Sequence, residues 1–338
     1  MRRAALDIVG CGAVVRQFHL PALQWLEEHG FAEVRYCLDR NPQAASAIAV
    51  RLRRARPLPV SSPSDVDVTG AAIALVATPP EAHYAWARHY LGAGAGVLVE
   101  KPAVLTTQEY SLLARASQAT GQPVLVGHVR RLFPSARAAR DAVRQGVIGA
   151  VQRIEAYEGF RWSWATQTDY PVRSRAGGVL YAFGPHALDT SLFICGIDDQ
   201  AVDDVEVDVV GIDRWPGSEP SHHLRAQLAL RADGLEVSVV LHVSRTEPLA
   251  NLVRVQGERG ELLVSADYGR TALLKTGRDS RRLSDGADAE YATSLPGCFL
   301  AEHMEMWRAW TRTNGGSLLA LDHFGLLTHL LEVLASAG

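Results

Sequence analysis

Short apolar runs and polar breaks alternate through the first third of the chain. Ala4 to Val9 is apolar except for Asp7, as a buried parallel strand requires. A glycine turn follows, and Val14 to His29 reads as a helix. Val34 to Leu38, Ala71 to Ala77, Val97 to Val99 and Pro123 to Gly127 repeat the buried-strand pattern. Pro42 to Arg54, His83 to Leu91 and Thr107 to Thr120 carry helical spacing between them. Pro57 to Pro63 reads as a Pro/Ser-rich link. Strand and helix in alternation predict a doubly wound parallel sheet, with ligand at the carboxyl ends of its strands.

After about residue 125 the pattern changes. A helix is expected over Pro134 to Gln145, and strands then dominate from Val151 to Lys275. Ala232-Asp233-Gly234 and Glu258-Arg259-Gly260 read as hairpin turns. Leu300 to Arg312 and Asp322 to Ala335 close the chain as helices. The expected fold class is α/β: an N-terminal Rossmann domain over 1–125, then an α+β domain over 126–338 with a large, open, mostly antiparallel sheet.

Composition narrows the function classes. A length of 338 residues suits two domains, and 47% hydrophobic with 21% charged residues suits an ordinary globular protein. A net charge of -3 with scattered arginines argues against nucleic acid as a partner. No apolar run is long enough for a bilayer span. Cys11, Cys37, Cys195 and Cys298 form no paired motif, so neither a disulfide scaffold nor a structural metal site is expected. Together with the lack of a signal-peptide core, this places the chain in the cytoplasm as an expectation.

Chemistry concentrates where strands end. Gly10-Cys11-Gly12-Ala13-Val14-Val15 follows the first strand and opens a helix, the context a pyrophosphate-binding loop needs. Val15 stands where Gly or Ala is usual, so the helix is expected to sit slightly farther from the sheet. Asp39, 27 residues past Gly12, is placed to accept the ribose hydroxyls of NAD; its other reading is a cap for the helix at Pro42. Arg40 beside it leaves NADP open. Lys101 follows the strand Val97 to Val99, and the chain's only other lysine is Lys275 among 34 Lys plus Arg. A chain so biased to arginine has reason to keep a lysine where an amine must lose its proton.

The combination of Gly10-Cys11-Gly12, His19-Leu20-Pro21-Ala22-Leu23, Ala77-Thr78-Pro79-Pro80 with His83, Glu100-Lys101-Pro102, Arg130 to Pro134, Gly146 to Gly149 and Gly177 to Asp189 resembles the Gfo/Idh/MocA family nearly end to end. The resemblance implies NAD(P)-dependent hydride transfer at a hydroxyl or keto carbon of a sugar, cyclitol or related compound. It implies a cofactor surface of Gly10, Gly12, Ala13 and Val14, of Asp39 and Arg40, of Thr78, Pro79 and His83, and of Glu100 and Lys101. Lys101 and His186 would be the proton-transfer pair. The open sheet would make a homodimer or homotetramer. Many active members carry an aspartate where this chain has Ala182, one turn before His186. That departure leaves a non-redox, cofactor-recycling or purely ligand-binding role as the alternative. Candidate substrate contacts are Arg131, Arg161, Trp162, Trp164, Tyr170, Tyr181 and Asp189, the last two also as stand-ins for the missing aspartate.

Overall fold

The computed structural model describes residues 3–161, 176–214, 222–232, 234–268, 271–283, 294–313 and 316–337. Its helices are α1 (Leu20–Glu28), α2 (Pro42–Ala49), α3 (His83–Gly92), α4 (Thr107–Thr120), α5 (Pro134–Arg144), α6 (Gly178–Cys195), α7 (Leu295–Thr311) and α8 (Gly325–Ser336). Among the described residues no helix is long and apolar enough to cross a membrane. The chain divides into two compact units.

The first unit holds β1 (Ala4–Val9), β2 (Ala32–Asp39), β3 (Arg56–Pro59), β4 (Ile73–Val76), β5 (Gly96–Glu100) and β6 (Val124–Gly127). All pairings are parallel and the order is β3-β2-β1-β4-β5-β6. This is the doubly wound order whose direction reverses between β1 and β4, where a ligand crevice opens. The runs in β1, β4, β5 and β6 are apolar on both faces because helices cover both faces. Asp7 interrupts β1 without a bare charge: Arg35 donates to both of its oxygens (3.0 and 2.7 Å), and the Tyr90 hydroxyl donates at 3.1 Å. Burial, reinforced by the Asp7 charge, pushes the Tyr90 phenol far above its ordinary range.

Two expectations are corrected in this unit. The stretch from Pro57 is not merely a link, because Arg56–Pro59 pairs with β2 as an edge strand. An edge position needs no N–H on its outer side and therefore tolerates proline. The cap of α2 is Asn41, whose side chain accepts from the amides of Gln43 and Ala44; Asp39 is not the cap.

The second unit centres on β7 (Val151–Gly159), which pairs in parallel with β10 (Leu235–Ser244) and antiparallel with β11 (Leu252–Gly257). Antiparallel strands extend the sheet on either side: β9 (His223–Ala232) and β8 (Glu206–Arg214) on one, β12 (Glu261–Ser265), β13 (Ala272–Thr276) and β14 (Asp279–Leu283) on the other. Residues alternate along these strands. Ile154, Ala156, Leu228, Leu241, Val253 and Val264 are buried. Charged pairs occupy the other face, such as Lys275 with Glu261 at 2.9 Å and Arg254 with Glu155 at 3.5 Å.

The unit boundary falls at Val129/Arg130, and helix α7 with the segment to Leu321 groups with the first unit. The expected division at 125/126, with everything after it in the second domain, is corrected accordingly. Beside the parallel sheet, Val126 N–H donates to Leu319 C=O at 2.8 Å, so the returning chain satisfies part of the β6 edge.

Candidate functional site

The glycine loop shows why each glycine is there. Gly10 has φ +89°, and a Cβ on it would lie 2.5 Å from the Ala77 carbonyl oxygen. The loop after β1 thus crosses directly against the end of β4, and any side chain would separate them. Gly12 differs, since a Cβ there would meet nothing within 4 Å. Bare backbone faces open space where first-turn amides lack helical acceptors. Gly12, Ala13 and Val14 are all half-buried. At Val15, which is fully buried, the chain takes a π turn over Val15–His19, and Leu20 N–H reaches back to Val15 C=O. The wider turn coincides with the valine that replaces the usual small residue.

Asp39 ends β2 and is tied to this loop. Its Oδ2 accepts from Cys11 N–H and its Oδ1 from Asn41 N–H, both at 2.8 Å. Two of its roughly four lone-pair sites remain for a ligand. Arg40 beside it is exposed. Thr78, two residues past β4, has a buried Oγ1 with no hydrogen-bond partner among the described residues. An open Gly12, an acidic β2 terminus and an orphaned hydroxyl at one sheet edge fit a dinucleotide.

Two sequence-proposed cofactor residues, His83 and Glu100, are engaged by other groups of the protein. Pro79 precedes a short 3-10 turn and leads to His83. The His83 ring, buried, lies between two carbonyls, Nδ1 2.8 Å from Pro102 O and Nε2 2.7 Å from Thr78 O. It stitches the loop after β4 to the loop after β5, and burial lowers its pKa. Glu100 turns inward as well. Its Oε1 is 2.9 Å from His19 Nε2, and its Oε2 accepts Lys101 N–H at 3.1 Å. Lys101 itself is half-buried and joins Pro102 through a cis peptide bond.

In the second unit, α6 is buried along its length except at Tyr181, Ala182, His186 and its last residue, Cys195. Ala182 and His186 are one turn apart, so the half-exposed positions form one stripe. Pro185 inside the helix has no N–H to offer the Tyr181 carbonyl. The stripe presents a histidine, a phenol and a methyl group where the family pattern would place a carboxylate.

Two proposed substrate contacts are corrected. Arg131 is 1% exposed and Asp189 is 0% exposed. The Arg131 guanidinium donates to Asp189 through Nε and Nη2 (2.7–3.1 Å), to Asp198 through Nη1 (2.9 Å), and to the His323 carbonyl (3.3 Å). It is stacked over Phe324 at 4.1 Å. Asp189 is thus an interior counter-ion, and its carboxylate is engaged by arginine rather than standing in for the missing aspartate. Asp198, Asp199 and His323 are the one metal-type cluster among the described residues, and Arg131 and Arg140 already neutralise Asp198. Arg161 is exposed just past β7, beside Phe160, whose ring meets Phe183 at 4.6 Å. Trp162, Trp164 and Tyr170 lie outside the described residues.

The loop glycines give a paired prediction. Gly10→Ala is expected to destabilise the protein by about 1–3 kcal/mol, the usual cost of a strained backbone position. Gly12→Ala is expected to leave the melting temperature unchanged while weakening nucleotide binding about tenfold or more, the loss of roughly 1.4 kcal/mol of contact. Thermal melts and nucleotide titration of both variants separate the two roles.

Comparison with known proteins agrees with this geometry. A family profile described as an oxidoreductase family with an NAD-binding Rossmann fold matches residues 6–128. The profile of the Gfo/Idh/MocA C-terminal domain matches residues 136–263. A protein of Amycolatopsis mediterranei (strain S699), provisionally named the oxidoreductase subunit of UDP-kanosamine synthase, is 27% identical over 288 residues, covering 78% of this chain and 75% of that protein. UDP-N-acetylglucosamine 3-dehydrogenase of Acidithiobacillus ferrooxidans is 29% identical over 175 residues, 52% of this chain and 49% of that enzyme, so the chain spans about half of it. Among solved structures, an inositol dehydrogenase homolog from Azotobacter vinelandii, complexed with NADH and myo-inositol, superposes with a TM-score of 0.78 at 17% identity, covering 99% of this chain and 95% of that one. With both profiles matched in order over most of the chain, the protein belongs to the Gfo/Idh/MocA family of NAD-binding Rossmann-fold oxidoreductases.

Proposed function

We propose that this protein is an NAD(P)-dependent oxidoreductase acting at a hydroxyl or keto carbon of a sugar, cyclitol or related small molecule, with Lys101 and His186 as its proton-transfer pair. The observation that carries the reading is the carboxyl edge of the parallel sheet, where the open backbone at Gly12, the Asp39 carboxylate, the orphaned Thr78 hydroxyl and Lys101 end successive strands. NAD or NADP, when bound, supplies the hydride acceptor or donor. Asp39 would take ribose hydroxyls on its remaining lone pairs and repel an added phosphate, which favours NAD.

The residues divide the remaining work. In the oxidation direction the Lys101 amine takes the hydroxyl proton as hydride leaves the carbon; in reduction its ammonium returns that proton. His186, half-buried on the exposed stripe of α6, exchanges protons with solvent. Tyr181 on the same stripe and Arg161 beyond β7 supply hydrogen bonds to a polyhydroxylated substrate. Assembly as a homodimer or homotetramer through the sheet of the second unit belongs to the same reading.

One observation favours a second reading. The methyl group of Ala182 gives His186 no carboxylate one turn away, which suits non-redox or binding roles. Purified protein tests both. The expected result is nucleotide binding and growth of reduced-cofactor absorbance with at least one member of a panel of cyclitols, hexoses and nucleotide sugars. Bound nucleotide released on denaturation, with no net reduction on any of them, supports the second reading. Absence of nucleotide binding defeats the first.

A further inference from the structure

Helix α7 carries an apolar buried face of Cys298, Phe299, Ala301, Met304 and Met306, yet Glu302 and His303 on the same helix are also buried. His303 Nε2 lies 3.1 Å from His19 Nδ1, and the other nitrogen of His19 is 2.9 Å from Glu100 Oε1. The second oxygen of Glu100 holds the Lys101 amide. One continuous hydrogen-bonded path therefore runs from α7, through the π turn, to the residue preceding Lys101. The Phe299 ring meets His19 edge-on at 5.1 Å and Phe18 face-on at 5.0 Å, so the path is walled by apolar surface. Such walls strengthen electrostatic coupling along it.

The path has a direction. Facing a carboxylate, His19 Nε2 must donate. His19 Nδ1 and His303 Nε2 then share one proton, carried by either ring. Glu302 sits beside this path with both carboxyl oxygens lacking a hydrogen-bond partner among the described residues. Two carboxyl groups thus share one buried region, and only Glu100 has donors. We propose that His19 and His303 are positioning residues, a buried relay that keeps the negative charge of this region on Glu100, next to Lys101, and off Glu302.

The electrostatics agree. Burial opposes ionisation of Glu100, but the His19 hydrogen bond and charge, with help from Lys101, outweigh it and hold the carboxyl below its ordinary range. Burial and the Glu100 charge together hold Glu302 well above it. Burial, then His19, keeps His303 well below the usual histidine value. The groups around Glu100 are His19 on the π turn, Lys101 after β5, Glu302 and His303 on α7, and His83 at the start of α3, whose ring feels the Glu100 charge. Across on β6 its partner is Gly127, followed by the buried His128.

For the chemistry this inference rests on the proposed function, in which neutral Lys101 is the base for oxidation. An anionic Glu100 favours the Lys101 ammonium. Removing the relay should therefore move the acid limb of the kcat–pH profile to lower pH. We expect His303→Leu to shift it by about one unit, the effect of one nearby charge, and His303→Gln, which keeps a donor toward His19, to restore it. A limb that stays in place in His303→Leu overturns the relay.

A second measurement needs no turnover. A carboxyl held neutral by the fold contributes stability that is complete below its unfolded pKa and is lost as pH rises toward its folded pKa. Glu302→Gln mimics the neutral acid and removes that loss. Its melting temperature should gain on the wild type by several degrees from about pH 5 to about pH 8. Parallel curves for the two proteins would show that Glu302 is not held neutral, and would overturn the charge placement. If no substrate is ever oxidised, the proposed function fails while the melting curves still decide the relay.

Discussion

Lys101→Met is expected to lower turnover by about 10²- to 10⁴-fold, the usual worth of a positioned acid–base group, with nucleotide affinity within about threefold of the wild type. The methionine keeps most of the stem volume, so the packing of the turn after β5 should persist. Lys275→Met is the matched control. Lys275 pairs with Glu261 at 2.9 Å, but its side chain is 41% exposed on the outer face of the second sheet. Such a pair contributes roughly 0–1 kcal/mol and has no reason to touch catalysis. Steady-state rates and a fluorescence titration of nucleotide decide the matter. Equal loss of turnover and affinity in Lys101→Met would make the lysine structural. Unchanged turnover would remove it from the chemistry altogether.

The two lysines also mark what a sequence can disclose. Parallel strands buried on both faces write themselves as near-continuous apolar runs, so β1, β2, β4, β5 and β6 are readable. The polar or glycine residue ending each run then stood out, which located Gly10, Asp39, Thr78 and Lys101 at one edge. β3 was not readable, because Arg-Pro-Leu-Pro looks like a link unless its edge position is known. β14 was hidden for a related reason: Asp279 to Arg282 are exposed, so no alternation betrays the strand. The return of α7 to the first unit is a long-range event that no local pattern encodes.

The same limit applied to the site. Glu100 drew notice through its neighbour Lys101, but its partner His19 is 81 residues away. His19 in turn meets His303 across 284 residues. The signal available was weak: a Glu-His pair on the otherwise apolar face of α7, and a histidine at the end of the glycine-loop turn. Arg131 and Asp189 erred in the opposite direction. In sequence, charged residues beside a site look like ligand contacts, whereas burial matches these two to each other.

That correction carries its own expected result. Arg131→Leu should destabilise the second unit by about 3–5 kcal/mol, the range for deleting one partner of a buried ion pair. The loss comes less from the missing attraction than from Asp189, which would keep its charge in the interior without the guanidinium that donates to both of its oxygens. Asp198 would retain Arg140 at 2.7 Å, so the damage should centre on α6. Arg131→Met combined with Asp189→Leu removes both charges and should recover much of the loss, since apolar replacements of buried pairs are often neutral or better. Denaturant unfolding of Arg131→Met, Asp189→Leu and the double variant closes the cycle and measures the coupling directly. A substrate contact would behave otherwise: Arg131→Leu would melt like the wild type and show only a raised KM. The cation–π stack on Phe324 and the three acceptors around the guanidinium make the stability effect the expected one, and they fix α6 from beneath while its exposed stripe carries His186.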